Sequence, residues 1–159
     1  MKNLLYILFA FALFTACDKL PDDSDLDGMW QLTSIEHSGT NTDVKSQQIY
    51  WSFRLRLIQF TNVGDAEHKK EFFAHSEHNG STLSIYDLCN PSENATAADN
   101  NEWMDTNERD LTVLAQWGIY PETDTSHKGK LKVSFSIENA TSSSLTLSNS
   151  NTRLKFRKF

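Results

Sequence analysis

Cysteine is scarce in this sequence, because Cys17 and Cys89 are the only two among 159 residues. Two cysteines cannot form a framework of several disulfides. Glycine is scarce as well, with six residues, and the glycine-rich loop that binds phosphate groups is missing. The G-x-S-x-G pattern around the nucleophile of many hydrolases is also missing. These absences predict a protein that is not an enzyme and needs no cofactor.

A hydrophobic run long enough to cross a membrane is absent too. The longest apolar run, Leu4–Phe14, is shorter than the roughly 20 residues that a spanning helix needs. It follows the positive charge of Lys2 and precedes the small residues Thr15 and Ala16, after which comes Cys17. This order is typical of a secretory signal peptide.

A cysteine directly after the small pair resembles the signal of bacterial lipoproteins. The resemblance implies that residues 1–16 are removed and that Cys17 becomes an acylated N-terminus, which anchors the protein in a membrane. Several acyl chains hold a protein firmly, whereas one chain alone binds only marginally. The alternative is an ordinary cleaved signal in which Cys17 has no special role.

An acidic segment follows. Residues 17–27 contain five aspartates and one proline, and so few apolar residues that we expect a solvated tether. Acidic residues directly after a lipidated cysteine resemble the surface-export signal of Bacteroides-type lipoproteins. The resemblance implies an outer-membrane lipoprotein displayed on the cell surface, with the periplasmic side of a membrane as the alternative.

The chain is acidic overall, with a formal net charge of −6 at pH 7. Removal of residues 1–16 takes away one positive charge, that of Lys2, and leaves −7. Repulsion from phosphate groups therefore argues against nucleic acid or an anionic lipid surface as an electrostatic partner.

Apolar and polar residues alternate through most of residues 28–159, which predicts one domain built from β-strands. The longest run places alternate residues from Ile49 to Leu57 on one face, and the apolar positions then shift to Ile58 and Phe60. A shift of one residue predicts a β-bulge or a sharp bend, which helps a sheet to curl into a barrel.

Short, turn-rich joints connect several of these strands. Asn79 and Gly80 predict a hairpin between strands over residues 70–76 and 82–88. Residues 138–140 and 149–151 are similar joints, and they predict an antiparallel meander at the C-terminal end.

Two regions depart from the alternation. Residues 89–107 form a long polar loop, of a length that is usually functional. Asp105 and Glu108 then predict the start of a short helix, and Gly118 in a Schellman motif, followed by Pro121, predicts its end. An all-β meander with one short α-helix predicts an up-and-down barrel, because closure removes the exposed edges of the sheet.

Several segments resemble a known family. Gly28-Met29-Trp30 opens the first strand as the G-x-W signature opens lipocalins. Three later segments resemble lipocalin-like lipoproteins of Bacteroides-type bacteria: LAQWGIYPETDT, KVSFSIENATSSSLTLSN and TRLKFRKF. The resemblance implies a lipocalin-like antiparallel up-and-down β-barrel over residues 28–159.

The resemblance also implies a structural role for the signature. The tryptophan of lipocalins packs at the closed end of the barrel under an arginine from the last strand. Trp30 takes the first role here, and Arg153 or Arg157 is expected to take the second. Both arginines alternate with Leu154 and Phe156, so a regular strand would point them away from the core. Either a twist at the end of the barrel brings one of them over Trp30, or this cation–π contact is absent.

One cluster contains residue types that bind metals: Glu67, His68, Glu71, His75, Glu77 and His78. On a strand these side chains point to both faces, whereas zinc needs three or four ligands that converge. The pattern therefore favours a solvated hairpin edge, and we expect no metal site.

The remaining candidates are aromatic. A lipocalin-like barrel implies binding of an apolar or amphipathic small molecule, and the residues expected to contact it are Trp51, Phe53, Phe72, Tyr86, Trp103 and Phe135. Trp103 lies in the 89–107 loop, which is expected to contact a ligand at the barrel mouth. The alternative is a protein–protein interaction module, an accessory subunit or inhibitor, that uses a filled barrel as a platform. A dry cavity lined by these aromatics would distinguish the first hypothesis from the second.

Overall fold

The computed structural model of the protein describes residues 26–64, 71–89, 108–124 and 130–159. The strands within these ranges are β1 (Gly28–His37), β2 (Thr40–Asp43), β3 (Ile49–Arg54), β4 (Leu57–Asn62), β5 (Glu71–His78), β6 (Thr82–Cys89), β7 (Glu122–Asp124), β8 (Lys130–Ala140), β9 (Ser144–Ser148) and β10 (Thr152–Lys158). Helix α1 spans Glu108–Gln116, and a 3-10 turn spans Lys45–Gln47. None of the helices in the described ranges is long and apolar enough to cross a membrane.

Eight of these strands form a closed antiparallel barrel. Their order is β1, β3, β4, β5, β6, β8, β9 and β10, and β10 pairs with β1 to close the ring. The two short strands lie beside it, since β2 pairs with β1 and β7 pairs with β8. The predicted lipocalin-like barrel with one short helix is confirmed.

The two ends of the barrel differ, and we name them by what they carry. At the closed end β1 begins and β10 ends, and the turns at residues 55–56, 79–81 and 141–143 lie there. At the mouth β1 ends and β10 begins, and the residues that follow α1 pack there against Ile35 and Leu154.

The interior that the described residues form is packed with side chains. Alternate residues on the strands point inward and are buried: Trp30, Leu32, Ile35, Ile49, Trp51, Phe53, Ile58, Phe60, Phe72, Ala74, Leu83, Ile85, Val133, Phe135, Leu145, Leu147, Leu154 and Phe156. The ring of Trp51 lies 4.9 Å from those of both Phe60 and Phe156, measured between centroids. In a barrel of this size side chains can fill the whole interior.

The apolar shift near residue 57 has a different cause from the predicted bulge or bend. β3 and β4 form a tight hairpin, in which Arg54 pairs with Leu57 and only Leu55 and Arg56 form the turn. Reversal of the chain over two residues changes which positions face inward, so Ile58 is buried while Leu55 and Leu57 are exposed. The expectation that Leu57 shares the buried face is therefore wrong.

The predicted turns at residues 79–80, at Gly118 and at residues 149–151 are confirmed. The predicted joint at residues 138–140 is wrong by a few residues, because β8 continues to Ala140 and the turn lies at residues 141–143. The amide of Thr82 donates to Asn79 Oδ1 over 3.0 Å, and Gly80 adopts a φ of 86° between β5 and β6. After α1, the amide of Ile119 donates to the carbonyl of Leu114 over 2.9 Å, and that of Gly118 to the carbonyl of Ala115 over 3.0 Å. These two bonds are the Schellman motif that ends the helix.

Candidate functional site

A groove of about 1040 Å³ opens at the mouth of the barrel, and we call it the mouth groove. It lies between α1, the turn from β1 to β2, and the corner at the end of β4. The described residues that line it are mostly small, hydroxyl-bearing or amide-bearing: Ile35, His37, Ser38, Thr40, Thr42, Val44, Gln47, Asn62, Gly64, Thr112, Ala115, Gln116 and Tyr120.

One wall of the mouth groove is a pair of stacked rings. The imidazole of His37 and the phenol ring of Tyr120 are parallel within 14°, with their centroids 3.8 Å apart. Nδ1 of His37 also lies 2.8 Å from Oγ1 of Thr152, within hydrogen-bonding distance. Contacts from two directions therefore hold the His37 ring in place at this wall.

The opposite wall is a corner that depends on a glycine. A Cβ at Gly64 would lie 2.3 Å from the carbonyl oxygen of Gln47, so a side chain at this position would push the two segments apart. The amide of Gly64 donates to Asn62 Oδ1 over 2.9 Å, and that of Val63 donates to the carbonyl of Gln48 over 3.1 Å. These contacts fix the side-chain amide of Asn62 and the backbone of Gln47 at the groove.

Helix α1 provides the third side. Leu114 is buried in the core, and Trp117, just after the helix, packs edge-on against Phe72 with 5.3 Å between ring centroids. Because side chains project from all sides of an α-helix, other positions of α1 face away from the core. Thr112 and Ala115 are among the residues that line the mouth groove.

The described lining has no permanently charged side chain. It contains no carboxylate, lysine or arginine, and its titratable side chains are His37 and Tyr120. Threonine methyl groups, Ile35, Val44 and Ala115 offer apolar surface beside hydroxyl and amide groups. Such a lining suits an uncharged molecule with both apolar and polar parts.

Comparison with protein families gives a match over nearly the whole chain. The family model described as a lipocalin-like domain matches residues 12–159. The chain belongs to this lipocalin-like family. No significant match was found among curated proteins.

Two solved structures have the same fold as this lipocalin-like protein. One is a lipocalin-like protein from Bacteroides uniformis ATCC 8492, with a TM-score of 0.58 and 23% identity over 86% of this chain and 100% of that one. The other is an uncharacterized protein from Bacteroides eggerthii DSM 20697, with a TM-score of 0.52 and 17% identity over 84% of this chain and 99% of that one. At these identities the likeness concerns the fold alone.

The five described aromatic residues that were predicted to contact a ligand are not among the residues that line the mouth groove. Trp51, Phe53, Phe72 and Phe135 are buried in the core, so the expected interior cavity is not formed at these four side chains. Tyr86 lies on the outer face of β6. Trp103 and the 89–107 loop, apart from Cys89, lie outside the described residues, as does Cys17. A ligand-binding role for this set stays a prediction.

The cation over the signature tryptophan is a lysine, which corrects the expectation of an arginine. Nζ of Lys158 lies 4.2 Å from the centroid of the Trp30 ring. Arg157 instead donates from Nε to Oε1 of Gln31 over 2.7 Å, and Arg153 pairs with Glu138 at 2.6 Å. Both arginines are exposed, as their alternation predicted.

A polar cluster lies on the outer face of β5 and β6. Nδ1 of His75 lies 3.2 Å from Oδ2 of Asp87, and the rings of His75 and Tyr86 stack with 5.6 Å between centroids. The hydroxyl of Tyr86 donates to Glu77 over 3.3 Å. Within the part of the chain that the structure describes, no three potential metal ligands converge. Glu67 and His68 are not among the described residues.

Proposed function

We propose that this protein is a lipid-anchored, extracytoplasmic lipocalin-like binding protein that holds an uncharged amphipathic small molecule in the mouth groove. It acts without catalysis, and Cys17 anchors it to the outer membrane, where it is displayed on the cell surface. The observation that carries the binding proposal is the mouth groove itself, about 1040 Å³ in volume. Ligand pockets in proteins are commonly about 300 to 1,000 Å³.

The walls of the groove support a neutral ligand. Burying an unpaired charge among hydroxyls and amides costs more free energy than burying a neutral group. The stacked ring of Tyr120 offers apolar contact, while Gln47 and Asn62 offer hydrogen-bond donors and acceptors on the other side. An amphipathic molecule can place its apolar part against Tyr120 and form hydrogen bonds with Gln47 and Asn62 at the same time.

Native mass spectrometry tests this proposal on protein purified from its own cells. The full chain with Cys17→Ala is used so that acyl chains do not obscure a small added mass. We expect a reproducible adduct of one small molecule per chain. Its absence from repeated preparations, together with no binding of uncharged amphipaths in a calorimetric screen, would reject the proposal.

Substitutions can show where the added molecule binds. Ala115→Trp adds a large side chain inside the mouth groove, whereas Ser142→Trp adds the same side chain in an exposed turn at the closed end. We expect the first to remove the adduct and the second to keep it. Thr112→Trp is a second filling variant in case Ala115→Trp disturbs α1. If only Ser142→Trp lost the adduct, the ligand would bind outside the mouth groove.

A protein–protein interaction module is the second candidate, and one observation favours it. The interior formed by the described residues is filled, as a platform requires, and Trp51 at its centre is fully buried. Chemical cross-linking in intact cells separates the two candidates. A single cross-linked partner protein, retained in Ala115→Trp and accompanied by no small-molecule adduct, would favour the platform.

A further inference from the structure

Most of the large apolar side chains that the described residues expose lie on or beside the closed end. They are Met29, Leu55, Leu57 and Phe159, while Val63 lies at the other end. Phe159 is 71% exposed, and its amide donates to the carbonyl of Met29 over 2.9 Å, which places the two side by side. A group of exposed apolar residues at one end of a small protein marks an interaction surface.

The tip of this surface is the hairpin turn between β3 and β4. Leu55 forms the tip with a φ of 57°, in the left-handed region where glycine or asparagine is usual, and it is 53% exposed. Arg54 and Arg56 flank it, and both are exposed. The local backbone does not favour a leucine here, and the part of Leu55 that does not pack beside Leu26 and Phe53 is available for a contact outside the barrel.

An apolar tip between two arginines matches the chemistry of a lipid interface. Apolar side chains enter the boundary between headgroups and acyl chains, while arginines remain beside the phosphates. The chain is acidic overall. Nevertheless, the closed-end turns at residues 55–56, 79–81 and 141–143 contain no acidic residue. Arg54 and Arg56 therefore give the tip itself a positive charge, while Asp27 lies beside Leu55 and Glu77 lies beside Arg56.

The course of the chain places the same end near the anchor. Leu26 is buried at the closed end, where its carbonyl accepts a hydrogen bond of 2.7 Å from Nε1 of Trp30. The segment from Cys17 to Leu26 spans at most about 30 Å, since an extended chain rises at most about 3.5 Å per residue. A membrane anchor at Cys17 would thus keep the closed end close to the lipid.

We infer that the closed end docks on the lipid surface that holds Cys17, with Leu55 in the interface and Arg54 and Arg56 on lipid phosphates. This inference rests on the lipid anchor of the proposed function. Docking in this orientation turns the mouth groove away from the membrane and toward the aqueous phase. A ligand then reaches the groove from solution rather than from the bilayer.

The experiment measures how deeply position 55 lies in a membrane. The lipidated full chain is reconstituted into vesicles of phosphatidylethanolamine and phosphatidylglycerol, with a nitroxide label on Leu55→Cys. A label on Ser38→Cys, an exposed position at the mouth that also has a positive φ of 50°, is the matched control. The unsubstituted chain gives the background from Cys89. Electron paramagnetic resonance then compares the accessibility of each label to oxygen and to a water-soluble nickel chelate.

We expect the label at position 55 to gain oxygen accessibility and to lose nickel accessibility severalfold on vesicles, while the label at 38 keeps both values. Replacing Arg54 and Arg56 by glutamine should reverse this protection while the protein still floats with the vesicles. Equal nickel accessibility at both positions would overturn the docking.

Two further outcomes would contradict docking of the closed end on lipid or the lipid anchor itself. Protection of position 55 in the Cys17→Ala chain without vesicles would assign the tip to the acidic segment or to a second copy, and it would overturn lipid docking. If the unsubstituted chain does not float with vesicles, the anchor itself fails, which contradicts the proposed function as well. A chain that floats but exposes position 55 contradicts the docking alone.

Discussion

Lys158 covers the ring of Trp30 at the closed end, with Nζ 4.2 Å from the ring centroid. The two residues are direct partners in the pairing of β10 with β1, so the strand register brings them together. A Cβ at Gly28 would lie 2.9 Å from the same Nζ, and Gly28 has a φ of 113°. The glycine of the G-x-W signature therefore leaves room for the lysine that covers the tryptophan.

Replacing this lysine should weaken the closed end. We expect Lys158→Met to lower the free energy of unfolding by about 0.5 to 2 kcal/mol, the range for a cation over an aromatic ring. Urea denaturation followed by circular dichroism measures the change. Lys155→Met, at an exposed position of the same strand, serves as the control and should have little effect. Lys158→Arg should restore most of the loss, and equal losses in methionine and arginine variants would contradict the interaction.

Two buried tryptophans should respond differently to the same substitution. Nε1 of Trp30 donates to the carbonyl of Leu26 over 2.7 Å, whereas Nε1 of Trp51 has no hydrogen-bond partner among the described residues. Phenylalanine removes the N–H group and some volume in both cases. Trp30→Phe should therefore cost about 1 kcal/mol or more beyond Trp51→Phe, because it loses a hydrogen bond and also weakens the contact with Lys158.

Denaturation of both variants in urea measures this difference. The slope of the free energy against urea concentration serves as the control, because it should match the unsubstituted protein if the fold is kept. A Trp51→Phe variant that is less stable than Trp30→Phe would show that the Trp51 N–H has a partner of its own.

Sequence patterns predicted the barrel because strand alternation is a local property. Each strand of the C-terminal meander has one inward face, and the alternation of Arg153 and Arg157 with Leu154 and Phe156 predicted correctly which side chains are exposed. The hairpin at Leu55 and Arg56 was missed because neither residue is a usual turn former. There the sheet, rather than the local sequence, imposes the reversal.

The mouth groove could not be predicted in the same way. Its walls come from distant segments, and His37 meets Tyr120 only after the barrel closes. Residues such as Thr40 and Asn62 near strand ends are indistinguishable in sequence from ordinary loop residues. The aromatic residues that attracted a binding hypothesis, such as Trp51, are instead the largest members of the core. Hydrophobic size alone does not separate a ligand contact from core packing.

Two glycines allow the cost of backbone strain to be separated from the cost of a clash. Gly118 and Gly39 have similar φ values of 78° and 80°. A Cβ at Gly118 would lie 2.4 Å from Cδ2 of Leu154, whereas a Cβ at Gly39 would meet nothing within 4 Å. Gly39→Ala should therefore cost about 1 to 2 kcal/mol from the backbone alone. Gly118→Ala should add about 1 to 3 kcal/mol from overpacking.

Thermal and urea denaturation of both variants measure these costs. Gly118→Ala combined with Leu154→Val should recover part of the added cost, because the smaller side chain gives the new methyl group room. Equal destabilisation by the two alanine substitutions would mean that the packing of Gly118 against β10 contributes nothing.

The phenol of Tyr86 should make the protein less stable in alkaline solution. Burial raises the pKa of Tyr86 first, and the nearby Glu77 carboxylate raises it further by charge repulsion and by accepting its hydrogen bond. A raised pKa in the folded state means that the unfolded chain loses this proton first as the pH rises. The neutral phenol thus makes its full contribution to the free energy of unfolding below about pH 10, the ordinary pKa of tyrosine. That contribution is lost as the pH rises above this value.

Urea denaturation across about pH 9 to 11 tests this expectation. The unsubstituted protein should lose more stability over this range than Tyr86→Phe, which has no phenolic proton at this position. Glu77→Gln should lie between the two, since it removes the repulsion but leaves the burial. Tyr50→Phe, which removes another partly exposed phenol, controls for tyrosine ionisation in general. If Tyr86→Phe followed the pH dependence of the unsubstituted protein, the raised pKa of Tyr86 would be excluded as a source of alkaline instability.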